Sequence, residues 1–287
     1  MEAQTKAVGV TAAIYRYPVK SMLGEELDAA VIEPRGLAGD RAYALIDHET
    51  GRIVSVKRPN RWSRIFELCA FTDGGVWVRF PGGGTLSIDD TSLTARLQQF
   101  FGRAVSISSS PPRDAHFDEV WVRELKDGVG PYFGRPSRFE DGDEIVAAGS
   151  SMGTDGNFFN DSPIHLVTTS SLRAFSEAAP GSRFEAKRFR PNLVLDTRDS
   201  GFLENEWRGR VLNIGSATLE VTIVVPRCVM TTLAQADLPH DPNVLKTITA
   251  SNAIDALSTG TRYPCAGAYA KVLRPGMVQE GDAATLE

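Results

Sequence analysis

Leu219-Glu220-Val221-Thr222-Ile223-Val224-Val225-Pro226-Arg227-Cys228-Val229-Met230-Thr231-Thr232 starts as a strand and finishes as a turn. From Leu219 to Val225 apolar residues alternate and β-branched side chains dominate, the pattern of a buried strand. Pro226 has no N–H to give a sheet ladder, so the strand ends there. Cys228 then falls at the start of a turn. Arg227 beside it and the hydroxyls of Thr231 and Thr232 make surroundings that favour a thiolate. A thiolate at a strand end is a nucleophile or a soft-metal ligand. As a small apolar residue, a cysteine can also be plain core.

Outward from this stretch the chain is mostly short strands punctuated by turn residues. Trp207 to Gly215 pairs with Leu219 to Val225 as a hairpin around Gly215-Ser216. Asn192 to Asp196, Pro163 to Thr168 and Val8 to Tyr17 read as further strands. So do Leu27 to Glu33, Tyr43 to Asp47, Ile53 to Val56, Phe66 to Phe71, Val76 to Phe80 and Val105 to Ser108. Tyr269 to Leu273 reads as the last strand. Leu93, Leu97 and Phe100 recur at helical spacing before Gly102, which predicts a helix over Ser92 to Phe101. A second helix starts at Thr169, Ser170 or Ser171 and stops at Pro180-Gly181, and Val244 to Thr249 reads as a short one. The fold class is mainly β (α+β): a β-barrel core with a β-rich N-terminal section and a few helices. The Pro-rich stretch from Ser108 to Arg113 divides it into sections 1–110 and 111–285. Asp141 to Asn157 reads as loop with a short strand in it.

With 287 residues, 42% hydrophobic and 23% charged, the chain has an ordinary globular composition. Its net charge of -5 speaks against a nucleic-acid polymer as partner. Three cysteines, Cys69, Cys228 and Cys265, are too few and too scattered for a disulfide framework or an iron–sulfur motif. Neither a secretory h-region nor an apolar span is expected, so the predicted setting is cytoplasmic and off the membrane. Arg183 to Arg190 sets Arg183, Lys187, Arg188 and Arg190 against Glu185 alone, with Phe184 and Phe189 interleaved to anchor it. Cys69, inside an apolar run, reads as core, and Cys265, after Pro264, as a loop residue.

Several segments, in order, together resemble the MOSC family. Tyr17-Pro18-Val19-Lys20-Ser21 and Gly36-Leu37-Ala38-Gly39-Asp40-Arg41 are similar to the β-barrel section that precedes MOSC domains. Phe189-Arg190-Pro191-Asn192-Leu193-Val194-Leu195 and Arg227-Cys228-Val229-Met230-Thr231-Thr232 resemble the two central MOSC motifs. Ala268 to Gly276, with Glu280-Gly281-Asp282, looks like the closing strand.

The resemblance implies a molybdenum cofactor (Mo-molybdopterin), with Cys228 as catalytic residue and metal ligand. It carries cofactor contacts onto Lys20, Arg41, Ser170, Ser171, Arg188, Arg190, Asn192, Arg227 and Thr231. The most similar branch includes the mitochondrial amidoxime-reducing component and bacterial reductases of N-hydroxylated compounds. That implies an oxidoreductase acting on a small-molecule N–O substrate. With no cysteine cluster in the chain, electrons are expected from a separate donor protein of ferredoxin, flavin-reductase or cytochrome type. The alternative is a non-catalytic carrier of the cofactor or of sulfur on Cys228. A third possibility, a cysteine nucleophile, would need His165 or His240 as its base. The turn after the cysteine motif, Leu233-Ala234-Gln235-Ala236-Asp237, departs from the family's Val-Asp-Pro-like form.

Overall fold

Seven strands close on themselves. In chain order they are β1 (Lys6–Arg16), β2 (Ile164–Thr168), β3 (Leu193–Asp196), β4 (Val211–Ile214), β5 (Ala217–Pro226), β6 (Tyr263–Arg274) and β7 (Ala283–Leu286). Around the barrel the order is β2-β3-β1-β7-β4-β5-β6, and the β6–β2 pairing shuts it. In this computed structural model the described residues are 5–112, 116–121, 144–149, 158–159, 161–258 and 260–287. The loop expected over Met152 and Asp155 to Asn157 lies outside them.

The sequence pattern explains the closure. Leu219 and Val221 point inward and are fully buried, with Leu166, Leu193, Leu212 and Ile214 on neighbouring strands. Each such aliphatic side chain taken from water contributes about 1.5–3 kcal/mol. A closed barrel leaves no unpaired edge. Only β2 and β3 run parallel, with Leu166 opposite Leu193. A parallel pair needs a crossover. It is supplied by α1 (Thr169–Ala178) and the single turn α2 (Ala186–Phe189), which pack Phe175 and Phe189 against α3 (Asn243–Ser251).

The N-terminal section has its own core of Val19, Met22, Leu45, Trp62, Ile65 and Leu97. The helix Leu93–Phe101 ends on Gly102 at φ +63°, the left-handed C-terminal stop its sequence predicts. Because β1 pairs with both β3 and β7, the barrel takes strands from both ends of the chain. The segment after β1 is tied back beside it: Arg41 N–H donates to the Tyr17 carbonyl at 2.8 Å and Lys20 N–H to Tyr43 at 2.8 Å.

Four local expectations change. Ser63–Glu67 is a 3-10 turn, so the strand expected over Phe66 to Phe71 is only Cys69–Thr72. Ile53 makes an isolated bridge to Ile46 instead of a strand. Tyr269 to Leu273 is the C-terminal half of a strand from Tyr263 to Arg274, and Gly276–Gln279 and Ala283–Leu286 follow it. Cys265 is therefore a fully buried strand residue, whereas Cys69 is half-buried, its thiol donating to the Gly24 carbonyl at 3.5 Å.

Candidate functional site

A cleft opens where the N-terminal ends of β2 and β3 meet the segment after β1 and the turn after β5. Arg41, Phe159, Ser162, His165, Phe189, Arg190, Asn192, Arg227, Met230 and Tyr269 line it. Three of these side chains are guanidinium groups, and none of the described lining residues is a carboxylate.

Arg190 comes first because its backbone is unusual. It terminates α2 at φ +56°, in the left-handed region that a side-chain-bearing residue seldom occupies. Arg41 at φ +46° and Ser21 at φ +67° share that region. Such conformations cost about 1–3 kcal/mol each and persist only where the surroundings hold them. Arg190 is held by donating to the Met22 carbonyl at 2.6 Å and by lying 4.2 Å over the Tyr17 ring. Burial pushes its pKa down to about 10, which leaves it protonated at neutral pH. Arg41 donates to Asp40, to Asn192 Oδ1 at 3.4 Å and to the Arg190 carbonyl at 3.2 Å. Asn192 links the strands behind the cleft, its oxygen accepting from His165 N–H at 3.1 Å and its Nδ2 donating to the Tyr15 carbonyl at 3.3 Å.

Arg227 is buried, donating to the carbonyls of Ala266 at 2.9 Å and Phe189 at 3.3 Å. Its third partner is His165 Nε2 at 2.6 Å. Arginine can only donate, so Nε2 accepts and the ring proton sits on Nδ1, which faces the Arg190 carbonyl at 3.2 Å. Burial, and then the Arg227 charge, push the His165 pKa well below the ordinary histidine value. His165 is a neutral spacer between two arginine segments, with no free lone pair to accept a thiol proton. His240 is exposed.

Gly267 at φ +76° makes room for this packing: a Cβ there would lie 2.7 Å from His165 Nε2 and 2.5 Å from the Leu166 carbonyl. Cys228, half-buried, follows the last residue of β5 and Arg227 and opens the 3-10 turn Val229–Thr232. Its carbonyl accepts from Thr231 N–H at 3.2 Å and Thr231 Oγ1 at 3.1 Å. Burial lowers the Arg227 pKa, and Tyr269 and then Cys228 oppose that shift. The cysteine thus lies between Arg227, one residue before it, and Met230, two residues after it, both on the cleft wall.

Of the residues singled out from sequence, Arg41, Arg190, Asn192 and Arg227 come together here. Lys20 is buried behind the wall, its ammonium donating to the Phe158 carbonyl at 2.8 Å, one residue from Phe159. Four others lie off the described wall. Ser170 and Ser171 are fully packed at the start of α1, where the buried Glu204 accepts from Thr168 Oγ1 at 2.7 Å and Gly267 N–H at 3.1 Å. The first N–H groups of α1 are met inside the protein, Ser170 N–H donating to Thr197 Oγ1 at 3.3 Å and Ser171 N–H to Thr168 Oγ1 at 3.2 Å. Arg188 is fully buried, and among the described residues its guanidinium donates to four carbonyls: Arg183, Thr231, Leu233 and Pro239. Thr231 braces the Cys228 turn. Ser162, Phe159 and Tyr269 are wall residues that sequence reasoning did not single out as site residues. The one available signal was His165, a lone polar residue inside the apolar run Ile164 to Val167.

The cleft wall thus carries Arg41, Arg190 and Arg227 with no carboxylate among its described residues, and Cys228 follows Arg227 directly at the end of a barrel strand. The MOSC domain model matches residues 133–285 and the MOSC N-terminal beta barrel domain model matches residues 8–121. The chain belongs to the MOSC domain family. It is 25% identical over 285 residues to a molybdenum cofactor sulfurase of Pyricularia oryzae, covering 76% of this chain and 33% of that protein. It is also 25% identical over 249 residues to mitochondrial amidoxime reducing component 2 of Bos taurus, covering 79% of this chain and 67% of that one. The chain thus spans about a third of the length of the first relative. The solved YuaD protein of Bacillus subtilis overlays 99% of this chain and 97% of its own at 12% identity and a TM-score of 0.46. Among the described residues no helix is long and apolar enough to cross a membrane.

Proposed function

We propose that the cleft binds the molybdenum cofactor with Cys228 as its protein ligand. The chain would then be an oxidoreductase that reduces N-hydroxylated substrates with electrons from a separate donor protein. The observation that carries this reading is the gathering of Arg41, Arg190 and Arg227 on one wall free of described carboxylates, with the half-buried Cys228 directly after Arg227 in the chain.

The donor set fits the group. A phosphate-bearing pterin needs fixed cations and amide hydrogen bonds, and three guanidinium groups with Asn192 and Ser162 provide them. No cluster of three or more His, Cys, Asp or Glu among the described residues could hold a metal ion by itself. A metal at Cys228 would therefore take one thiolate from the protein and its other ligands from the cofactor, which suits a soft ligand. When bound, the cofactor supplies a metal that can accept an oxygen atom in a two-electron reduction. The protein's share is local. Arg190 and Arg41 neutralise the anionic end, Asn192 fixes their spacing, and Arg227 keeps positive charge beside the cysteine. His165, held neutral, lets two buried arginine segments approach without a third charge.

The test is purification from a host that makes the cofactor, with molybdenum and pterin measured alongside turnover of an N-hydroxylated compound. Turnover is expected with reduced viologen and not with NADH or NADPH alone. A non-catalytic carrier would load the cofactor and turn nothing over. Protein from such a host that lacks both molybdenum and pterin would refute the assignment.

A further inference from the structure

Two of the cleft arginines share one aromatic ring. The Arg190 guanidinium carbon lies 4.2 Å from the centre of the Tyr17 ring, and that of Arg41 lies 4.7 Å from it. Tyr17 is buried and is not among the described residues of the cleft wall, so it meets the cleft through the two arginines. Its backbone is fastened to the Arg41 segment at both polar groups. The Tyr17 N–H donates to Asp40 Oδ1 at 2.8 Å, and its carbonyl accepts from Arg41 N–H at 2.8 Å.

The arrangement answers an electrostatic problem. Two guanidinium charges on one wall repel each other. Arg41 offsets its charge with the buried carboxylate of Asp40. Arg190 has no ion pair among the described residues. Its guanidinium makes one hydrogen bond among them, to the Met22 carbonyl at 2.6 Å, and lies near the rings of Tyr17 and, at 5.7 Å, Phe66. The negative face of an aromatic ring attracts a cation, and more strongly away from water. A carboxylate in the same place would cancel the charge and occupy the N–H fork. A ring offsets the repulsion and leaves the charge in place. The Tyr17 hydroxyl has no hydrogen-bond partner, so the ring face is the part that acts.

We infer that Tyr17 is a positioning residue of the cleft: its ring holds Arg41 and Arg190 together before an anion arrives, so that binding need not gather two like charges. The inference rests on the proposed reading of the cleft as an anion site, and not on which anion the cofactor presents. Asn192 and the Arg190 carbonyl place Arg41, and neither is bonded to the Arg190 guanidinium. That leaves the Tyr17 ring as the described group in contact with both cations.

The test is a calorimetric titration of the cofactor-free full chain with inorganic phosphate at low ionic strength. The wild type should bind saturably, and Arg190→Ala should abolish the signal. Tyr17→Phe keeps the ring and should bind within about twofold of wild type, whereas Tyr17→Leu should bind about tenfold more weakly. Phenylalanines carrying successive ring fluorines, incorporated at position 17, keep the ring's shape and apolar character while draining negative charge from its face. Affinity should fall with each added fluorine and approach the Tyr17→Leu value in the pentafluoro ring, whereas a packing role would leave the series level. Affinity that stays level or rises along the series overturns the role of Tyr17 and leaves the anion cleft standing; so does Tyr17→Leu binding like Tyr17→Phe. Should Tyr17→Leu fail to fold, the fluorinated series decides alone. A wild type that binds no phosphate, or binding that Arg190→Ala leaves unchanged, overturns the anion cleft and the role of Tyr17 with it.

Discussion

Arg188→Met separates two roles for a buried arginine. The guanidinium donates at 2.8 Å to Arg183, 3.3 Å to Thr231, 3.3 Å to Leu233 and 2.8 Å to Pro239. Three of those carbonyls, of Thr231, Leu233 and Pro239, span the turn after Cys228 and the loop beyond it. Methionine keeps much of the stem's bulk and donates nothing. Four carbonyls each losing a net hydrogen bond cost about 1 kcal/mol apiece, and relaxation of the exposed Pro239 segment should return part of it, leaving about 3 kcal/mol. For a chain of this size that lowers Tm by roughly 6–12 °C. Calorimetry and urea unfolding of cofactor-free protein measure it directly. If Arg188→Met melts with the wild type and instead fails only to load cofactor, Arg188 contacts the ligand and the stapling role is refuted.

Arg190→Ala should lower cofactor occupancy sharply, through loss of a charge-assisted contact worth roughly 1.5–3 kcal/mol, and normal molybdenum and pterin content in that variant would contradict the proposed cleft. Cys228→Ser should abolish molybdenum binding and turnover with the fold intact, while Cys69→Ser keeps both; Cys265→Ser should keep activity but lose about 1–2 kcal/mol of stability by burying a hydroxyl in the barrel wall. Glu204 has its pKa raised by burial. The native state therefore binds its proton more tightly than the unfolded chain, so this group's stabilisation is complete below the unfolded carboxylate value of about 4.3 and is lost as pH rises through the raised folded value. Glu204→Gln should remove that component, so the difference between wild-type and variant unfolding free energies should change with pH across the acid range, and a pH-independent difference would contradict it.

Much of the architecture can be read along the chain because its causes are local. Alternation in Leu219 to Val225, the Gly215-Ser216 turn and the Leu93–Leu97–Phe100 spacing each act within a few residues, and the elements appear where those patterns lie. The ordered motifs around Arg41, Arg190 to Asn192 and Arg227-Cys228 likewise named residues that the fold brings to one cleft or beside it. What the tertiary structure alone decided is which polar groups are left for a ligand once the protein has satisfied its own. Arg188 and Arg190 are two apart in one basic run, yet one faces four backbone carbonyls and the other a cleft, because the chain turns left-handed at Arg190. Ser170 heads a helix yet its N–H is met by the Thr197 hydroxyl, 27 positions away. Cys265 follows a proline, as loop residues often do, but is locked in the barrel because Ala217–Pro226 pairs along it. Hydrogen-bond partners at that separation leave no local pattern, since burial demands that each donor and acceptor be met but not from where.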